Sequence, residues 1–242
     1  MTETALVLGG GQAGAQAAVS LRQEGFGGRI LLIGAEPLLP YQRPPLSKAF
    51  LAGELPRERL LIKPEAFYRQ ADVEPVLGVA ATTLDAQAKR LTLDDGQQLA
   101  FDQLLLATGG RPRQLDCPGA DHPRLHYLRT VADVDQMRPT FAAGARLVII
   151  GAGYIGLEVA AVAAKHGLRV TVLEAAPRAL ARVTSPEVSE FFQRVHAEAG
   201  VEIRCNTTVA RIDGSADLAR VITGGGERLD AELVLAGIGL LP

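Results

Sequence analysis

Apolar positions along this chain come mostly in short unbroken runs rather than in strict alternation with polar ones. Ala5-Leu-Val-Leu8, Ile30-Leu-Leu-Ile33, Leu147-Val-Ile-Ile150 and Val170-Thr-Val-Leu173 are the clearest. Runs with no polar face predict central strands of a parallel sheet covered on both sides. Those beginning at Ala5 and Leu147 each lead into glycines and then a stretch rich in Ala and Gly. The pattern predicts helices there, ending near Arg22 and Lys165 and lying close against the sheet. Between them, residues 79–85, 90–93 and 97–101 read as short strands with Asp95-Gly96 as a hairpin turn, a β-meander inserted in the first unit. Leu104-Leu-Leu-Ala107 is expected as a returning buried strand that delivers Thr108-Gly109-Gly110. Pro112, Pro118 and Pro123 interrupt residues 111–123, the best linker candidate, which places the domains at 1–112 and 113–242. Downstream, a helix over 185–199 leads to a strand over 201–205 and further short strands around Val221 and Leu233.

One pattern occurs twice: apolar strand, glycine loop, small-residue helix, second strand, acidic residue. The first copy carries Gly9-Gly-Gly-Gln-Ala-Gly14 and Glu36, the second Gly151-Ala-Gly-Tyr-Ile-Gly156 and Glu174. In such a loop the first glycine permits the tight turn, the second lets a pyrophosphate approach the backbone, and the third lets helix and strand pack closely. The helix N-terminus supplies N–H groups and the positive end of a dipole, so dinucleotide phosphate binds without a lysine. Glu36 lies 22 residues beyond Gly14, and Glu174 lies 18 beyond Gly156. Both are near the spacing of about 20 at which a carboxylate accepts bonds from ribose hydroxyls. The expected class is therefore α/β, with two Rossmann-like dinucleotide-binding domains built on parallel sheets and carrying β-meander insertions. Two dinucleotides on one chain imply electron traffic, ordinarily a nicotinamide feeding a flavin. Glu174 favours NADH, since a carboxylate repels a 2′-phosphate; Arg178 and Arg182 lie just beyond it and weaken that preference, their other reading being a solvated helix face.

Composition narrows the partners. Lys plus Arg total 25 and Asp plus Glu 27, a net charge of −2, so no bulk positive field draws nucleic acid. No apolar run approaches the 20 or so residues of a membrane span. The N-terminus shows no basic region followed by an apolar stretch and cleavage site, so a cytoplasmic protein is expected. Cys117 and Cys205 match no metal or disulphide-exchange spacing and are expected as buried free thiols, and no metal site is expected. In Tyr41-Gln-Arg-Pro-Pro-Leu-Ser-Lys48 the prolines are rigid, Ser47 is a candidate helix N-cap, and Lys48 would then sit at a helix start beside a like-signed dipole end. That placement hints at a ligand or acidic partner, while the default for an isolated lysine is a solvated side chain, which spacing alone does not overturn.

These residues resemble the FAD-dependent ferredoxin reductases that serve bacterial oxygenases. The resemblance rests on the Gly9 loop, the 41–48 segment, Ala107-Thr-Gly-Gly-Arg-Pro-Arg113, Tyr127-Leu-Arg129, Gly151-Ala-Gly-Tyr-Ile-Gly-Leu-Glu158 and Ala236-Gly-Ile-Gly-Leu240, and covers the whole chain. It implies that Gly9, Gly11, Ala13, Gly14 and Glu36 bind the adenosine half of FAD. Arg43, Lys48, Ala80, Thr108, Gly109 and Arg129 also match flavin-contacting positions. Gly151, Gly153, Ile155, Gly156, Glu174 and Gly237 would hold NAD(H). It further implies that Lys48 and Glu158 form an ion pair beside the flavin ring, joining the two domains and carrying the catalytic role. Glu158 read by itself is also a helix N-terminal acid favoured by the dipole.

Members of that group carry a later Gly-Asp segment for FAD and a C-terminal domain. This sequence has no Gly-Asp dipeptide and is expected to be truncated before them. Uncovered sheet edge and apolar surface then make a homodimer or weak FAD retention an expectation. Residues 40–60 contain no cysteine, which sets aside disulphide-reductase chemistry. The resemblance implies an NADH:ferredoxin oxidoreductase, with hydride passing from nicotinamide to flavin and single electrons leaving to a [2Fe-2S] ferredoxin. Two alternatives stay open: a nucleotide-binding module without turnover, and a reductase of rubredoxin or another acceptor.

Overall fold

A computed structural model describes residues 3–242. They divide into two compact units. The first gathers the chain up to residue 42 with 57–110 and Pro242; the second gathers 43–56 with 111–241. Past residue 57 the units part between residues 110 and 111, whereas the expected boundary lay between 112 and 113. The division also differs earlier in the chain: the proline-rich segment, expected with the N-terminal domain, belongs largely to the second unit.

In unit 1, β1 (Thr4–Leu8) leads through the glycine loop into α1 (Gln12–Gln23) and back to β2 (Arg29–Gly34). A short helix, α2 (Glu65–Gln70), precedes β3 (Val73–Leu77). Then come β4 (Ala81–Asp85), β5 (Arg90–Leu93), β6 (Gln98–Ala100) and β7 (Gln103–Leu106). The parallel sheet runs β3-β2-β1-β7, and β4-β5-β6 form the antiparallel meander. Both faces of the sheet are buried. Leu6, Leu31 and Ile33 pack with Leu91, Leu93 and Leu99 of the meander, while Val7, Ile30 and Leu32 pack with Ala18, Tyr68 and Val73. Alternate residues of one strand thus enter two different cores, which is why the runs are continuous. One expectation fails. β7 is an edge strand, and Leu105 and Leu106 on it are 44% and 58% exposed rather than buried. An edge has a neighbour on one side only.

Unit 2 begins with β8 (Arg111–Pro112), β9 (Leu125–His126) and α3 (Val131–Met137). The repeat follows as β10 (Arg146–Ile150), α4 (Tyr154–Lys165) and β11 (Arg169–Leu173). Next come α5 (Pro186–Glu198), β12 (Glu202–Arg204), β13 (Val209–Gly214), β14 (Ala219–Thr223), β15 (Arg228–Ala231), β16 (Leu233–Ala236) and β17 (Leu240–Leu241). Its parallel sheet is β12-β11-β10-β16-β9, and β13-β14-β15 supply a second meander. Val148, Ile150, Leu173 and Val234 pack against Ile212, Ala219, Val221 and Ala231 of that meander. Gly156, Leu157, Val159, Ala160 and Ala163 bury the small-residue face of α4. The linker candidate is tied in at its start and its middle: β8 pairs with β17, and the Ile212 amide donates to the Pro118 carbonyl. No helix among the described residues is long and apolar enough to cross a membrane.

Candidate functional site

Each parallel sheet delivers a glycine loop at the C-terminal end of its central strand, and the two loops are built alike. Gly9 has φ +131° and Gly151 φ +103°, values that side chains rarely adopt. A Cβ on Gly9 would overlap the Ala107 carbonyl, and one on Gly151 would come within 2.6 Å of the Gly237 carbonyl. The third glycines serve packing: a Cβ on Gly14 would overlap the Gly9 carbonyl oxygen, and one on Gly156 that of Gly151. The middle glycines differ. A Cβ on Gly11 would meet nothing within 4 Å, and one on Gly153 only the Gly237 oxygen at 3.8 Å. Gly11 and Gly153 are the N-caps of α1 and α4, in extended backbone, with no side-chain cap and no acid in the first turn of either helix. Space above the loop and uncapped N–H groups are what a pyrophosphate needs, so the residues fit a dinucleotide at both loops.

The acids stand where the spacing placed them, just past β2 and β11, and each is already engaged. Tyr41 donates its hydroxyl to Glu36 Oε2 at 2.5 Å. Glu174 Oε2 accepts the Ala152 amide of the second glycine loop at 2.7 Å, and Oε1 accepts the Ala176 amide at 2.8 Å. Two oxygens offer about four lone-pair sites, so accepting capacity remains for a ribose. Arg178, read from sequence as solvated, is instead held by Ser189 Oγ and the Ala181 carbonyl at 2.5 and 3.0 Å. Arg182 is exposed.

Other expected cofactor residues fall in one unit or the other. In unit 1, Thr108 and Gly109 are exposed directly after Ala107, whose carbonyl faces Gly9, and Ala80 exchanges bonds with Asp94. In unit 2, Gly237 stands against Gly151, Ile155 is 42% exposed in the first turn of α4, and Arg43 donates to the Arg129 carbonyl at 2.7 Å. The Arg129 and Thr130 amides both donate to Asp133, which with Thr130 closes a capping box on α3.

The Lys48–Glu158 pair forms, with Nζ 2.7 Å from Oε2. Both residues lie in unit 2, so the pair works inside one unit rather than joining two domains. The local structure also differs from expectation. Pro44–Ser47 forms a single 3-10 turn that ends at Lys48, so Ser47 caps no helix and Lys48 starts none. Ser47 instead donates its hydroxyl to Glu158 Oε2 at 2.5 Å, and Lys48 Nζ also reaches the Pro44 carbonyl at 3.2 Å. Sequence reading missed the parts of Ser47, Tyr41 and the Ala152 amide, for no local spacing announces a bond to a carboxylate placed by another element.

Cys117 and Cys205 are free and half-buried. Burial pushes both thiols up from their ordinary value, aided at Cys205 by the charge of Glu174. That is the reverse of a reactive thiolate.

The family described as pyridine nucleotide-disulphide oxidoreductase matches residues 4–242. Rhodocoxin reductase from Rhodococcus erythropolis is 45% identical over 240 residues, 98% of this chain and 56% of that protein. A ferredoxin–NAD(P)(+) reductase from Sphingomonas sp is 43% identical over 246 residues, 100% of this chain and 59% of its own length. Among solved structures, the covalent putidaredoxin reductase–putidaredoxin complex aligns with a TM-score of 0.95 at 41% identity, covering 99% of this chain and 59% of that one. The chain thus spans rather more than half the length of the relatives it matches.

Proposed function

We propose, since this chain belongs to the pyridine nucleotide-disulphide oxidoreductase family, that it serves NADH-dependent reduction of a [2Fe-2S] ferredoxin, with FAD held by unit 1 and NADH by unit 2. The observation that carries the reading is the doubled cradle, a parallel strand, an open middle glycine and an uncapped helix in each unit, with a carboxylate past the second strand. The relatives named above as reductases of rhodocoxin and of ferredoxin support the acceptor class. Held by unit 1, FAD would supply hydride uptake from NADH and release of single electrons.

The protein's own part is binding and orientation. Gly9, whose amide donates to the Ile33 carbonyl, shapes the turn, Gly11, Ala13 and Gly14 would present backbone N–H groups to the FAD pyrophosphate, and Glu36, steadied by Tyr41, would accept from its ribose. Gly151, Gly153, Ile155, Gly156 and Gly237 shape the NADH cradle. Glu174 binds the ribose while its carboxylate disfavours a 2′-phosphate, which assigns NADH over NADPH. The Lys48 ammonium and Ser47 hydroxyl hold Glu158 in one rotamer, so a paired charge rather than a mobile one stands at the first turns of α4. Disulphide exchange is no part of the reading, because neither cysteine is activated. A cytoplasmic setting suits an enzyme that draws on NADH, and a homodimer is part of the proposal.

The test is anaerobic titration of FAD-loaded protein with NADH, following the visible flavin band, and then addition of a [2Fe-2S] ferredoxin. Stoichiometric bleaching, reversed by the ferredoxin, is expected. NADH binding without bleaching of bound FAD overturns the proposal.

A further inference from the structure

Unit 2 contains a cleft of about 560 Å3 far from its glycine loop, lined in part by Arg146, Arg169, Thr171, Arg220, Arg228 and Asp230. Arg146 and Arg169 begin β10 and β11, whereas Gly151 follows the other end of β10. At about 3.3 Å per strand residue Arg146 lies roughly 15 Å from Gly151, and Val148, the lining residue of β10 nearest that loop, about 10 Å.

The arginines are arranged by bonds made at one edge of each guanidinium. Arg146 gives Nε and Nη2 to Glu232 at 3.2 and 2.6 Å, Arg220 gives the same pair to Asp230 at 2.7 and 3.4 Å, and Arg169 gives them to the Gly144 carbonyl at 3.3 and 3.2 Å. In all three the Nη1 amine meets no acceptor among the described residues. Arg228 is exposed and donates to none of them. Carboxylate forks therefore fix the planes of two guanidiniums and leave a donor edge unbonded on each. Guanidinium stays charged at every accessible pH and pairs best with planar or tetrahedral oxyanions. Asp230 is the one acid lining the cleft, and Arg220 occupies both its oxygens. No aromatic side chain lines the cleft, so it offers a nucleobase nothing to stack on.

We propose that this cleft binds a compact polyvalent oxyanion, independently of the dinucleotide site, through the Nη1 edges of Arg146, Arg169 and Arg220 and the whole guanidinium of Arg228. The probe is sodium tripolyphosphate, added to the 242-residue protein and followed by thermal unfolding, with sodium chloride at matched ionic strength as reference. Near saturation, at a hundredfold excess over Kd, the midpoint is expected to rise by about 5 °C beyond the chloride control. Arg228→Gln removes a side chain bonded to nothing and leaves the fold intact; it should abolish at least half of that rise. Arg169→Gln should do the same. No rise beyond chloride overturns the proposal, and so does an equal rise in both variants, as binding at a glycine loop would produce.

Discussion

Glu174 Oε2 accepts the backbone amide of Ala152 at 2.7 Å, so the acid that follows β11 is bonded to the glycine loop beside which it would read a ribose. On the proposed function, loop shape and cofactor choice share one carboxylate. Glu174→Ala should lose about 1–2 kcal/mol of stability with that bond and raise the Kd for NADH about tenfold. Glu174→Gln keeps one acceptor for the Ala152 amide, so it should retain most of the stability while narrowing the gap between NADH and NADPH. Fluorescence titrations with both nucleotides, beside a denaturant curve, separate the two effects.

The two kinds of glycine in one loop should fail differently. Gly14→Ala forces a Cβ into the Gly9 carbonyl, and overpacking of backbone costs about 3 kcal/mol or prevents folding. Gly11→Ala adds a methyl to open space and should cost no more than about 1 kcal/mol as a changed N-cap. Purified Gly11→Ala should nonetheless retain at least tenfold less FAD. Flavin content at unchanged circular dichroism is the measurement.

Lys48 and Glu158 side chains are 49% and 29% exposed, so their ion pair contributes less than about 1 kcal/mol to folding. On the proposed function its value lies in orientation. Lys48→Met and Glu158→Gln should each shift the unfolding midpoint by no more than about 2 °C. Each should slow anaerobic flavin bleaching by NADH about tenfold, and the double variant should be no slower than the worse single. Unchanged stopped-flow rates in both would leave the pair a purely structural contact.

Tyr68 is 1% exposed, and its hydroxyl is the one buried side-chain polar atom without a partner among the described residues. Burial pushes its ionisation up to about 12. An unbonded buried hydroxyl costs about 1–3 kcal/mol. Tyr68→Phe should thus raise stability by about 1 kcal/mol, read as a higher denaturant midpoint with an unchanged slope.

Arg146 forks onto Glu232 while its own amide also donates to that carboxylate, and together they pull the Glu232 carboxyl down to about 2. A depressed folded-state value stabilises the protein above the ordinary carboxyl value of 4.5, and the gain is lost as pH falls from there through about 2. Both side chains are about one third exposed, so solvent screening limits the contribution to about 1 kcal/mol. Glu232→Gln should be less stable than the parent at pH 7 and converge with it near pH 2. Unfolding midpoints across that window check the sign.

What the sequence determined by itself was the doubled architecture. A glycine with φ near +100° and a helix that must touch a strand admit almost no other residue, so Gly9, Gly14, Gly151 and Gly156 announced both cradles, and the unbroken runs announced both sheets. The positive φ of each first glycine and the contact of each third glycine with the first are local, set within a few residues of chain. The tertiary structure decided the rest: that residues 43–56 join unit 2, that Ser47 donates to Glu158 instead of capping a helix, that β7 exposes Leu105 and Leu106, and that four arginines border one cleft. Each of these depends on which distant element supplies the neighbour, and hydrogen bonding and burial are settled by proximity in space, to which spacing along the chain is blind.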